Sequence, residues 1–175
     1  MLMKRGLKDN AMKKNRTKKL TMLAMTMAVA MVLSYIESQI PAFVAVPGVK
    51  VGLANIAVIF ALYRFGFKEA CLVSVVRVLV MSMLFGLGAI FYSMAGAVLS
   101  LLGMFILKKT DLFSEMSVSV AGGVLHNLGQ IIAACIILET NAVKYYLPFL
   151  ILSGVLAGAV IGTAAGFLIR RIKID

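Results

Sequence analysis

The sequence has 175 residues, 62% of them hydrophobic, with a mean hydropathy of +1.01 and a formal net charge of +11. A soluble domain is about 45–50% apolar, and here the apolar residues run in long blocks, so a soluble fold is excluded in favour of an integral membrane protein. The Lys and Arg residues fall between the blocks, which excludes nucleic acid as the reason for the charge.

In chain order, residues 1–19 come first and hold eight of the eighteen Lys/Arg. The apolar run that follows is longer than a signal-peptide core and leads into no soluble mature domain. The segment reads as a retained, partly disordered basic cytoplasmic tail lying against anionic headgroups. A bilayer span needs about 20 apolar residues, and six candidates follow within a transmembrane domain of 20–169. They are Leu20–Tyr35, Ala42–Tyr63 (broken at Pro47–Gly52), Ala70–Phe85, Ala89–Leu107, Ser117–Leu138 and Leu147–Ile169. Residues 170–175 form a second basic end. The sixth span carries Gly154, Gly158, Gly162 and Gly166 at intervals of four, a smooth face for a neighbouring helix.

Six spans put the tail, Arg64–Glu69, Lys108–Met116 and the C-terminal end on one side. Those segments hold fifteen of the eighteen Lys/Arg; the opposite side holds Lys50 and Lys144, and Arg77 lies within a span. Positive charge is retained in the cytoplasm, so both termini are expected there, in a multi-pass protein of the plasma membrane.

A charge at the bilayer centre costs about 2.5–3.5 kcal/mol on insertion scales, so each polar residue in a span is a candidate for function. Arg77 is near the middle of the third span, and His126, Asn127 and Gln130 are in the fifth. Lys50 and Asn55 come from the broken second span, where Pro47, Gly48 and Gly52 free backbone groups that are tolerated only beside protein or a cavity. Broken helices with inward donors suit anionic solutes. A chamber for a small anionic or phosphate-bearing molecule is the functional reading. Against it, Arg77 has Glu37 and Glu139 as possible partners, His126 fits a hydrogen-bonded core residue, and Lys50 is close enough to the interface to snorkel.

No phosphate-loop motif, metal-ligand spacing or nucleophile–base set occurs in the sequence. The three aspartates, Asp9, Asp111 and Asp175, are too scattered to hold a magnesium diphosphate. The expectation is a binding protein and not an enzyme, without cofactor or metal. Cys71 and Cys135 read as small core residues.

The string Pro47-Gly48-x-Lys50-x-Gly52-Leu53-Ala54-Asn55, the intramembrane Arg77 and His126-Asn127-x-x-Gln130 together resemble the Gx transporter family, also labelled heptaprenyl diphosphate synthase component I. The resemblance covers roughly residues 18–170, and that family is similar to the substrate-binding S components of energy-coupling factor (ECF) transporters. It implies an all-α bundle of six transmembrane helices that captures its substrate from outside. It also implies docking, through small residues on the first helix, to a membrane coupling subunit served by two cytoplasmic ATPases. Ala24 and Ala28 match that docking pattern. The alternative it carries is a non-catalytic membrane accessory of isoprenoid or quinone synthesis, or of a flavin-linked electron-transfer system.

Overall fold

The computed structural model describes residues 2–39, 52–86, 88, 90–140 and 142–172, with side chains from residue 15 onward. Lys50, the rest of the Pro-Gly break before Gly52, and the last three residues of the basic end lie outside the described residues.

Every regular element among the described residues is helical. In chain order they are α1 (Leu2–Gln39), α2 (Asn55–Arg64), α3 (Phe67–Phe85), α4 (Ile90–Lys109), α5 (Glu115–Ile137), a short 3-10 helix (Ala142–Tyr146) and α6 (Leu147–Arg171). Four segments are long and apolar enough to cross a bilayer: Asn15–Gln39, Ile90–Lys109, Glu115–Ile137 and Ala142–Arg171. The protein is thus a multi-pass helical membrane protein. The other two expected spans differ from that standard in distinct ways. α3 has nineteen residues but carries Lys68, Glu69 and Arg77. α2 has only ten residues, about 15 Å of helix, half of a hydrocarbon core about 30 Å thick.

α1 is one helix from Leu2, so the basic segment runs into the first span without a break. Lys, Arg, Met, Leu and Ala dominate that stretch, all strong helix formers, and the apolar continuation supplies a helix to propagate from.

Around the bundle the neighbours run α1, α2, α6, α5, α4, α3 and back to α1, with α2 also packed on α3. Lys19 of α1, the starts of α3 and α5 and the ends of α2, α4 and α6 share one end, here the near end. Three polar ties mark it. Lys19 reaches Glu69 at 2.5 Å, Arg170 reaches Glu115 at 3.6 Å, and Lys108 Nζ donates to the Leu62 carbonyl at 2.6 Å.

α2 fills the middle of the near half. Ala57, Val58, Ile59, Phe60, Ala61 and Leu62 are all buried, so helices surround it on every side. Its C-terminal carbonyls find donors: Ala61 accepts from Phe65 and Gly66, and Leu62 from Lys108, whose ammonium also sits 4.9 Å from the centre of the Tyr63 ring. Gly66, at φ +118, makes the tight turn into α3.

Glycines bring α4, α5 and α6 into backbone contact. A Cβ at Gly158 would lie 2.6 Å from Val120 Cα, and one at Gly123 would lie 2.5 Å from the Gly154 carbonyl oxygen. Gly162 meets Met116 and Ser119 in the same way, whereas a Cβ at Gly166 would meet nothing within 4 Å. The four-residue stripe of α6 is therefore internal packing over three of its four positions. α4 approaches α5 by the same means through Gly96 and Gly129.

Candidate functional site

α2 starts halfway through the bundle. Above its first turn, in the far half, lies a cavity of about 70 Å³. That is room for several water-sized groups. Its walls come from five helices: Ser34 and Glu37 of α1, Asn55 of α2, Arg77 and Ser82 of α3, Ser93 of α4, and His126 and Gln130 of α5. Ser34, Glu37, Asn55, Arg77, Ser82 and Gln130 are buried, each less than a tenth exposed.

The local sequence explains how each helix presents these groups. On α1 the buried residues Leu23, Thr26, Ala30, Ser34 and Glu37 recur every three or four positions and form one inward stripe. That stripe turns from apolar to polar as it passes from the near core to the chamber. On α3, Ser74, Arg77, Val78, Met81 and Ser82 do the same. On α5, His126 and Gln130 are one turn apart on the face toward α4. Gly96 makes room for them: a Cβ there would lie 2.8 Å from the His126 carbonyl oxygen and 2.9 Å from Gln130 Cγ.

Arg77 is 8% exposed, and Glu37 acts on it electrostatically. No side chain or carbonyl among the described residues accepts a hydrogen bond from its guanidinium. Glu37 accepts a hydrogen bond from the Gly52 backbone N–H. Gly52 is at φ +82, a left-handed conformation that glycine adopts without strain, and its carbonyl accepts from Asn55 N at 2.8 Å. Glu139, the other acid considered for Arg77, is exposed beyond the end of α5 at φ +48.

The N-terminus of α2 also faces the chamber. Ala54 caps it without a side-chain hydrogen bond and is fully buried. A helix N-terminus carries about half a positive charge. The chamber thus holds a guanidinium, a helix N-terminus, an imidazole, two amides, three hydroxyls and one carboxylate that is already bound to backbone. Such a set can bind an anion that also needs neutral donors. Among the described residues no cluster of three or more His, Cys, Asp or Glu has metal-holding geometry.

Four of the six residues expected at a site from the sequence, Asn55, Arg77, His126 and Gln130, meet at this chamber. Lys50 lies outside the described residues. Asn127 is turned toward α6, donating from Nδ2 to the Leu150 carbonyl at 2.7 Å and to Ser153 Oγ at 3.5 Å. It lines a separate, smaller cavity. The 100° step from His126 to Asn127 on a helix is enough to send neighbours to different interfaces. Ala24 and Ala28 are exposed on the side of α1 away from the bundle, beside exposed Met25, Val29 and Val32.

Ser34, Ser82, Ser93 and Gly96 were not singled out by sequence reasoning. Serines inside spans are too common to stand out, and Gly96 becomes visible only opposite His126. Glu37 was noted as following the first span, but α1 runs on and carries it into the bundle.

The fold and the chamber define a polytopic helical membrane protein with a polar cavity walled by five of its helices. Within that class the chain belongs to the heptaprenyl diphosphate synthase component I family, whose model it matches over residues 26–168. No curated protein and no solved structure matches it.

Proposed function

We propose that this protein is a non-catalytic, membrane-embedded binding subunit whose chamber takes a small anionic or phosphate-bearing molecule. The observation that carries the reading is Arg77, buried in the chamber wall with no acceptor hydrogen-bonded to it among the described residues. A guanidinium carried into the interior of a membrane protein is costly and calls for acceptors. A ligand anion that accepts from the guanidinium removes that cost, and the N-terminus of α2 adds to the attraction.

In this reading the chain crosses the bilayer six times, with both termini in the cytoplasm. Support for the orientation comes from Arg64, Lys68, Lys108, Lys109, Arg170 and Arg171 at the near end, against Lys144 at the far end. The chamber then opens outward, in the plasma membrane. The resemblance to S components supplies the rest: capture from outside, then docking to a coupling subunit and two ATPases. The exposed alanines 24 and 28 fit a helix that must pack closely against another helix.

The family description favours a second reading, an accessory of heptaprenyl diphosphate synthesis. The two readings share a ligand chemistry, because a diphosphate head has the charge and size the chamber accepts. A prenyl chain exceeds 70 Å³ and would have to leave the chamber sideways into lipid.

The test is thermal unfolding and calorimetry of the purified protein with inorganic diphosphate, prenyl diphosphates of several lengths, and soluble phosphate-bearing metabolites. Stabilisation by a soluble molecule, lost in Arg77→Ala, supports capture for transport. Stabilisation that grows with prenyl length supports the accessory role. No stabilisation by any of them would remove the anion reading.

A further inference from the structure

Below the chamber, toward the near end, a second cavity of about 20 Å³ lies between α2, α5 and α6. The two cavities share Gly52, Asn55 and His126, so Asn55 stands between them. The smaller one is otherwise walled by Ile59, Met104, Ala157 and Ile161, by glycines, and by two polar side chains, Ser119 and Asn127.

Ser119 is the informative residue. It is 2% exposed, and its hydroxyl has no hydrogen-bond partner among the described residues. A hydroxyl inside a helix ordinarily satisfies itself on the carbonyl four residues back. Thr21, Thr26 and Thr163 all do so, at 3.0, 2.8 and 2.8 Å. Ser119 makes no such bond. The side chain of Asn55 also makes no hydrogen bond among the described residues, while Asn127, about 12 Å further along α5, commits its Nδ2 to α6. A cavity needs about 10–15 Å³ and two to four polar partners to hold a water; this one meets both conditions. Its apolar remainder disfavours an ion.

We propose that the smaller cavity binds one ordered water, held by the Ser119 hydroxyl and the Asn55 amide, and that this water fixes Asn55 as the floor of the chamber. Ser119 is four residues into α5, about 6 Å from the near end of that helix. The water therefore extends the polar interior from the chamber most of the way through the bundle. The inference does not depend on which ligand the chamber takes.

Ser100 supplies an internal control. It is 3% exposed, its hydroxyl also has no partner among the described residues, and it lines neither cavity. Removing a dry, unsatisfied hydroxyl relieves a desolvation penalty, whereas removing one that anchors a water loses a bond and strands the other partner. Thermal unfolding of the full chain in one detergent separates the cases. Ser119→Ala is expected to lower the midpoint by about 2–4 °C, the shift that a single such bond gives in a chain of this size. Ser100→Ala is expected to leave the midpoint unchanged or raise it. The losses from Ser119→Ala and Asn55→Ala should be less than additive, because both partners hold the same water. A crystal structure of the wild-type protein at a resolution that shows waters should carry one peak between these side chains. An empty cavity in that map, or a Ser119→Ala midpoint that moves as Ser100→Ala does, overturns the proposal.

Discussion

Arg77 concentrates the residue-scale question. Its burial is costly in any membrane protein, and Glu37 offsets only part of the cost because it is also committed to the Gly52 N–H. If the guanidinium binds ligand, Arg77→Ala should weaken affinity by about 1.5–3 kcal/mol, the range for a charge-assisted hydrogen bond. The unliganded fold should be unharmed or slightly more stable. Calorimetry alongside thermal unfolding reads both quantities. A large loss of stability with unchanged affinity would make Arg77 a strut. The sequence made Arg77 visible because a charge in an apolar run is costly, and His126 and Gln130 were visible because polar groups there are scarce. Asn127 shows the limit of that reasoning. It has the same chemistry and is next to His126, yet its amide serves the α5–α6 interface. Which way a polar side chain turns depends on where neighbouring helices lie, and that information is spread over the whole chain.

At the scale of single helices, packing among α4, α5 and α6 rests on missing side chains. Lipid is as apolar as leucine, so helices in a membrane gain by close fit, not by leaving water. Gly158→Ala places a methyl 2.6 Å from Val120 Cα, where no side chain can yield. The expected loss is about 1–3 kcal/mol, typical of overpacking, read as a lower unfolding midpoint. Gly166→Ala, with nothing within 4 Å of the added atom, should be close to neutral. Gly96→Ala is expected to act on the site as well as the fold, since the added atom meets the His126 backbone and the Gln130 side chain. The stripe on α6 was legible from its period. The matching glycines on α4 and α5 were not, because they follow no regular spacing. The length of α2 was only half legible: Pro47 and the two glycines announced a break, but the point at which α2 begins, Asn55, is set by the turn at Gly52 and the carboxylate that holds it.

For the molecule as a whole, the two ends behave differently. The near end is ion-paired at its rim, while the far half encloses the chamber. At the rim, the hydrogen bond from Lys19 holds the Glu69 carboxyl below its usual range, with its own backbone and the Lys charges adding to the effect against some desolvation. A depressed carboxyl contributes stability above its unfolded pKa, about 4.3 for Glu, and loses it as pH falls through the folded value. Acidification from pH 6 to 3 should therefore lower the unfolding midpoint more in the wild type than in Glu69→Gln. The difference should stay below about 1 kcal/mol, as for other largely exposed pairs. The bias of Lys and Arg toward one set of connecting segments was the clearest whole-molecule signal in the sequence. The ring order of helices was not legible there, because both faces of every span are apolar and periodicity cannot say which face meets protein.

The glycine contacts have a mechanical consequence. They weld α4, α5 and α6 into one stiff block, while α1 and α3 rest on the opposite flank and meet that block chiefly through α2 and the α3–α4 seam. The chamber draws Glu37 and Arg77 from the flank and Ser93, His126 and Gln130 from the block. A molecule seated there straddles the joint, so its arrival would act as a clasp: amide exchange along the far half of α1 should slow on binding, while the welded helices stay as they were.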